Sequence, residues 1–300
     1  MRVGMIRAIR SAAKAVLLGV LGGPGPLLAD DSRDIRIEAN FTADSNVTRA
    51  RNAPDRLSDR SFGLTLGKGF EFPIAGSEHA RLLVSGFLGS EKFQTYTGLS
   101  RNFAGAEGEI QYRPSAEFGA PTFAAFLRSS RDGYDSTLRD GYRYSAGVSA
   151  RKSVTDRIDV FGAFAWNRRD SKSSVFDTQD HSARLNLDYS ATRTGTAYLS
   201  GEYRRGDVVT TAPASVVTDA IARADVPDDA FTDTQRIAYR LDARSVLATF
   251  GYNLAFGQGQ ALDFSWRFVR STPTSSPGLT GGTTIRYDVN QLSVSYLILF

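Results

Sequence analysis

The chain has 300 residues, no cysteine, two histidines, and 36 basic against 32 acidic side chains, with 41% hydrophobic residues. Without cysteine it forms no disulfide and no thiolate metal site, and it cannot be anchored as a lipoprotein. The basic excess belongs to the first 29 residues, where Arg2, Arg7, Arg10 and Lys14 stand without an acid. The remainder is formally neutral, so charge gives no support to a nucleic-acid partner.

Residues 1–29 read as a cleaved secretory signal peptide. A basic start is followed by a short apolar run, Ala15 to Gly22, then by Gly23-Pro24-Gly25-Pro26, with Ala29 before Asp30 and Asp31. Residues 30–300 form the second unit, read as one β domain. No apolar stretch in it reaches the roughly 20 residues of a membrane helix. A chain of this kind that crosses a membrane does so as a closed barrel, because every backbone polar group in lipid must be paired internally.

Twelve segments of alternating polarity follow. They are Asp34 to Phe41, Ser61 to Phe72, His79 to Phe93, Phe103 to Tyr112, Thr122 to Arg128, Tyr142 to Arg151, Arg157 to Trp166, His181 to Tyr189, Thr196 to Arg204, Ile237 to Tyr252, Leu262 to Phe268, and Thr283 to Phe300. The tenth changes phase near Ser245 to Ala248 and the twelfth near Asn290, each predicting a bulge. Connections after even segments are short (Val154 to Asp156, for example); those after odd segments are mostly longer, up to Arg205 to Gln235. Short turns at one end and long loops at the other is the pattern of an outer-membrane barrel, with both termini on the periplasmic side.

Aromatic residues make an independent check. Phe41, Phe62, Tyr142, Tyr144, Trp166, Tyr203, Tyr239, Trp266 and Tyr287 fall toward the long-loop end. Phe70, Phe72, Tyr112, Tyr189, Tyr252 and Phe300 fall toward the short-turn end, with aliphatic residues such as Ala146, Leu185 and Leu199 between. Two girdles around an aliphatic belt suit the two membrane interfaces. Lys68 disagrees, since it shares the lipid face with Leu66 and Phe70; either a bulge at Gly67 or Gly69 turns it inward or the phase there is wrong.

The final strand places Leu292, Val294, Tyr296, Ile298 and Phe300 on one face. With the export signal, this ending resembles the C-terminal signature of Gram-negative outer-membrane β-barrel proteins. The fold expected is an all-β, transmembrane, antiparallel up-and-down β-barrel of about 12 strands. The resemblance implies a place in the outer membrane of a Gram-negative bacterium. Its implied partners are outer-membrane lipid, lipopolysaccharide, and the barrel-assembly machinery that reads the strand ending at Phe300.

The opposite faces are rich in ion-pairing groups, and these are the expected pore-lining residues: Arg36, Arg143, Arg151, Arg184, Arg204, Arg240, Arg244, Arg267, Arg286, Glu107, Glu109, Asp188, Glu202, Asp242 and Asp263. Arg128, Glu38, Asp159 and Asp288 fall on the same faces. Unpaired ions are costly in a dry interior, so the lumen is either wet or closely paired. Wet, it is a narrow porin-like channel for small hydrophilic solutes, with arginines favouring anions. Closely paired, it is a plugged barrel with a structural, adhesion or secretion-assembly role. In strand count and arginine content the chain resembles small outer-membrane channels for acidic sugars. In the longest loop Thr218 caps a short predicted helix through Ala224; the loop reads as a solvated surface loop, with folding into the mouth as a constriction or lid the alternative.

An enzyme finds little support. In Asp180-His181-Ser182 neighbouring residues point to opposite faces, so they form no relay, and His79 lies by a short turn. No catalytic residue is assigned. Asp30-Asp31, Asp132 to Asp135 and Asp228-Asp229 lack the ligand spacing of a calcium loop, so no metal and no cofactor is expected. Asp44-Ser45-Asn46-Val47 loosely resembles the opening of surface lipoprotein assembly modifier barrels.

Overall fold

The computed structural model describes residues 35–214, 222–231, 235–257, 259–274 and 286–300; the expected signal peptide lies outside them. Among the described residues thirteen strands run in chain order: β1 (Ile35–Asp44), β2 (Asp59–Pro73), β3 (Ala80–Phe93), β4 (Arg101–Tyr112), β5 (Thr122–Tyr134), β6 (Gly141–Ser153), β7 (Ile158–Ser171), β8 (Thr178–Ser190), β9 (Gly195–Pro213), β10 (Ala224–Pro227), β11 (Arg236–Phe256), β12 (Gln260–Pro273) and β13 (Tyr287–Leu299). All except β10 pair in sequence as antiparallel neighbours. β9 pairs with β11, and β13 pairs with β1, so the sheet closes on itself. Closure removes the sheet edge, which is what lipid requires.

The twelve alternating segments are the twelve barrel strands. Their outer face is apolar and exposed over the whole circumference: Phe62, Leu88, Ile110, Leu127, Val148, Phe164, Leu185, Leu199, Phe250, Phe264 and Leu292 all stand outward. Exposed side chains of this kind on every strand belong in hydrocarbon. Lys68 also faces outward, and no bulge turns it, since β2 pairs with β1 and β3 in unbroken register. It lies opposite Ile35, the first residue of β1, with its ammonium 5.3 Å from the Phe70 ring. That is close enough to the short-turn end for its stem to reach the interface.

The structure corrects the two predicted phase shifts. β11 pairs with β9 from Arg236 to Leu254, and β13 pairs with β12 from Tyr287 to Ile298, without a skipped residue. Alternation therefore continues, and Tyr239, Leu241, Ala243, Tyr287 and Val289 are buried on the inner face. Tyr239 and Tyr287 leave the predicted girdle. Several strands also run further than their segments. β5 continues to Tyr134 and β9 to Pro213, so part of each expected long loop is strand.

β9 and β11 outreach their neighbours. Pairing with β8 stops at Gly206, and pairing with β12 stops at Ala243. Beyond those points β10 takes the place of β12 beside β11, from Ala224 opposite Arg240 to Pro227 opposite Ile237. Gly206 marks the departure, with φ +147; a Cβ there would strike Gln179 and Asp180 of β8. The result is a three-stranded flap. The helix expected from Thr218 falls mainly outside the described residues, and its last member, Ala224, opens a strand.

Candidate functional site

The candidate site is the barrel interior and the flap-bearing mouth above it. The pairing registers place Arg36, Arg143, Arg151, Arg184, Arg204, Arg267, Glu107, Glu109, Asp188, Glu202 and Asp263 on the inner face. Arg128, Glu38 and Asp159 share it. Four predicted members are elsewhere. Arg240, Asp242 and Arg244 alternate with buried Leu241 and Ala243 and so stand on the opposite face of β11. Arg286 precedes β13, exposed, two residues before outward Asp288. All four had been placed through phase shifts that the continuous pairing excludes.

Inner-face ion pairs run along the wall. Arg184 reaches Glu202 on the next strand (2.8 Å), and Arg204 contacts the same carboxylate from its own strand. Arg128 lies 3.7 Å from Glu107, and Arg36 is 2.5 Å from Glu38. Near the mouth Arg101 joins Glu91 (3.0 Å) to Asp132 (3.4 Å), which also receives Arg143. Toward the short-turn end Arg81 holds Glu71 (3.2 Å) and Gln111. Each pair joins one strand to itself or to its neighbour, so charge is neutralised at the wall.

Two inner arginines, Arg267 and Arg151, form no ion pair within the described residues. Arg267 lies opposite Thr249 on one side and Gln291 on the other, and borders a cavity of about 10 Å³ with Ser200, Glu202, Leu247 and Thr249. That is about the space of one water. Arg151 lies over the Phe161 ring (5.6 Å), with its Nε and Nη2 unbonded. Tyr198 crosses Gly251, where no side chain obstructs its ring, and donates to Asp263 on the strand beyond (2.9 Å).

The mouth is built differently. Its contacts pass between loops that belong to opposite parts of the ring. Asp228, just after β10, is buried and accepts from Arg139 of the β5–β6 loop (2.7 Å) and from the Thr211 hydroxyl of β9 (2.6 Å). Arg139 is itself buried, stacked 4.2 Å from the Phe176 ring of the β7–β8 loop. Ser136 bonds to Asp229, and Tyr96 of the β3–β4 loop packs against Phe231 at 5.1 Å. Gly98 of that loop touches the backbone of Ala230 so closely that a Cβ would overlap it.

On the other side the β1–β2 loop grips β9. The Thr211 amide donates to Thr48 O (2.8 Å) and the Thr210 hydroxyl to Arg49 O (2.7 Å). Two apolar clusters complete the cap. Val175, Phe176 and Ala238 pack with Leu138, Val209, Ala224 and Val226, while Ala212, Tyr239, Leu241, Ala243 and Tyr287 pack together beneath. The flap thus has loops on both faces. Its described part is not the solvated loop that its acidic composition suggests.

Sequence reasoning missed Arg101, Asp132, Tyr134 and Arg169, because the fourth segment was begun too late and the fifth and seventh were ended too early; the alternation of Ser130, Asp132 and Tyr134 with Ser129, Arg131 and Gly133 carries the missing signal in β5. Arg139 and Asp228 had no signal at all, being brought together only by the flap. The two histidines take no part. His181 faces outward against Phe164 (6.1 Å), while Asp180 and Ser182 face inward, and His79 packs edge-on to Tyr112. No group of three or more potential metal ligands occurs among the described residues.

No known protein family and no curated protein matches the sequence. In structure the chain is similar to an outer membrane channel from Pseudomonas putida F1, at 11% identity and a TM-score of 0.55, over 92% of this chain and 99% of that one. It also matches the NanC porin (8% identity, 87% and 98% of the two chains, TM-score 0.48) and the KdgM porin in complex with disordered oligogalacturonate (9%, 88% and 99%, 0.45). The fold is that of outer-membrane β-barrels, a closed antiparallel barrel of twelve strands.

Proposed function

We propose that this chain is a passive outer-membrane channel for small hydrophilic solutes, with a preference for anions. One observation carries the reading: the inner ion pairs lie flat along the wall instead of joining opposite walls, and Arg267 turns its charge inward between two neutral neighbours. A barrel sealed by ion pairs would link one side to the other. A wall-bound network instead leaves a central path free of cross-links, and Arg267, whose cross-strand partners carry no charge, adds a positive group beside it that attracts anions electrostatically. The solutes would meet Arg36, Arg128, Arg143, Arg184, Arg204 and Arg267, with Glu107 and Glu202 orienting them. Export through residues 1–29 and insertion by machinery that reads the strand ending at Phe300 complete the proposal.

The mouth contacts favour a second reading, a barrel sealed by its flap and serving a structural or adhesive role. Planar-bilayer recordings separate the two. A channel gives stepwise currents whose reversal potential in a salt gradient favours anions and moves toward cations in Arg267→Gln. Folded protein that passes no current under any condition supports the sealed barrel.

A further inference from the structure

Facing lipid, one line of residues crosses five strands through consecutive pairings. Trp166 lies opposite His181, His181 opposite Arg205, Arg205 opposite Arg244, and Arg244 opposite Thr272. All point outward. Tyr203 and Val246, two positions nearer the membrane on β9 and β11, are exposed members of the apolar belt, while Arg204 and Ser245 between them face inward. The line therefore sits at the upper edge of the belt, at headgroup depth, just below the point where the flap departs.

Two arginines directly opposite on neighbouring strands repel, and sheets avoid such pairs unless something neutralises them. Nothing among the described residues does so here. The next outward pair along the same strands is acidic, Asp207 opposite Asp242, but Arg223 reaches both of those carboxylates (3.4 and 3.7 Å). Three other outward cations near this level have their own acids, Arg168 with Asp170 (2.7 Å), Arg270 with Asp288 (2.8 Å) and Lys92 with Asp135 (3.6 Å), while Arg60 and Arg131 have none but stand opposite Ala43 and Tyr142, not opposite another cation. Arg205 and Arg244 have neither an ion pair nor a hydrogen bond within the described residues. A dianionic oxygen cluster between them would relieve the repulsion, and planar guanidinium groups bind phosphate in that manner.

We propose that Arg205 and Arg244, flanked by His181 and Trp166, form a docking surface for the phosphorylated headgroup of an outer-leaflet glycolipid, lipopolysaccharide. Its phosphate bridges the two guanidiniums, its sugar lies against the Trp166 ring, and its acyl chains descend over Tyr203 and Val246. The surface rests on the barrel fold and on the long-loop end facing outward, and not on the channel reading, since it lies on the other side of the wall.

Native mass spectrometry of the detergent-solubilised barrel tests it, with titration of diphosphoryl lipid A, its dephosphorylated form, and phosphatidylglycerol. Wild type should retain diphosphoryl lipid A in preference to both others. The Arg205→Gln/Arg244→Gln double variant should weaken that binding about tenfold or more, as expected for losing charge-assisted hydrogen bonds. Arg244→Asp supplies Arg205 with an acid of its own, so it keeps the barrel folded and should lose the lipid equally. Equal binding by both variants and wild type, or equal retention of dephosphorylated lipid or phosphatidylglycerol by wild type, overturns the assignment.

Discussion

The barrel wall and the mouth use the same residue types in opposite ways. In the wall, arginines and carboxylates pair with the nearest strand, as Arg184 does with Glu202, so the pairing adds nothing across the lumen. At the mouth Arg139 and Asp228 come from loops far apart in the ring and are buried together. Replacing one member of an exposed wall pair, such as Arg81 with Glu71, leaves a charge that solvent can reach. Replacing one member of the mouth pair strands a buried charge, which costs about 3–5 kcal/mol. In the proposed channel the wall network sets the electrostatics of the path, and the mouth network holds a cap on it.

The contrast is sharpest in Asp228→Asn. Loss of about 3–5 kcal/mol of local stability should free the flap, seen as faster hydrogen exchange over residues 222–231, with the barrel strands unaffected. Exchange that rises in the wall as well would break the distinction. Gly98→Val should act in the same direction by driving Ala230 away, with Tyr96 and Phe231 no longer in contact; protease sensitivity confined to the flap is the readout. Gly206→Ala addresses the hinge. An L side chain at φ +147 is strained by on the order of 1–3 kcal/mol, so the thermal midpoint for flap release should fall while the unfolding of the barrel on gels does not shift. The smallest effect belongs to the wall. Arg267→Gln should leave stability within about 0.5 kcal/mol and change only ion preference, whereas Arg131→Gln, on the outer face, should leave the reversal potential as it is.

The strand count, the closure and the belt were legible because lipid imposes a strict demand. Phe62, Leu64 and Leu66 must all meet hydrocarbon, and alternation reports that directly. Alternation states that two environments exist, however, and not which is outside. In Ile237 to Ala243 the apolar face was read as lipid-facing, yet Tyr239, Leu241 and Ala243 are apolar because they pack under the flap against Ala212 and Tyr287. Taking the phase from Val246 and Phe250, which do meet lipid, and carrying it upward unchanged gives the observed placement of Arg240, Asp242 and Arg244. The inner residues of the regular strands were legible by the same rule. The cap was not, since Asp228 and Arg139 lie 89 positions apart and neither segment has a periodicity.

The most direct test exploits the absence of cysteine. Ser136 and Asp229 are in side-chain contact across the mouth, so Ser136→Cys with Asp229→Cys should form a disulfide that fastens the flap. In planar bilayers the oxidised variant should carry no current, and reduction on the same membrane should bring anion-favouring steps. Equal currents before and after reduction, or none in either state from folded protein, would contradict a conducting lumen beneath a releasable cap.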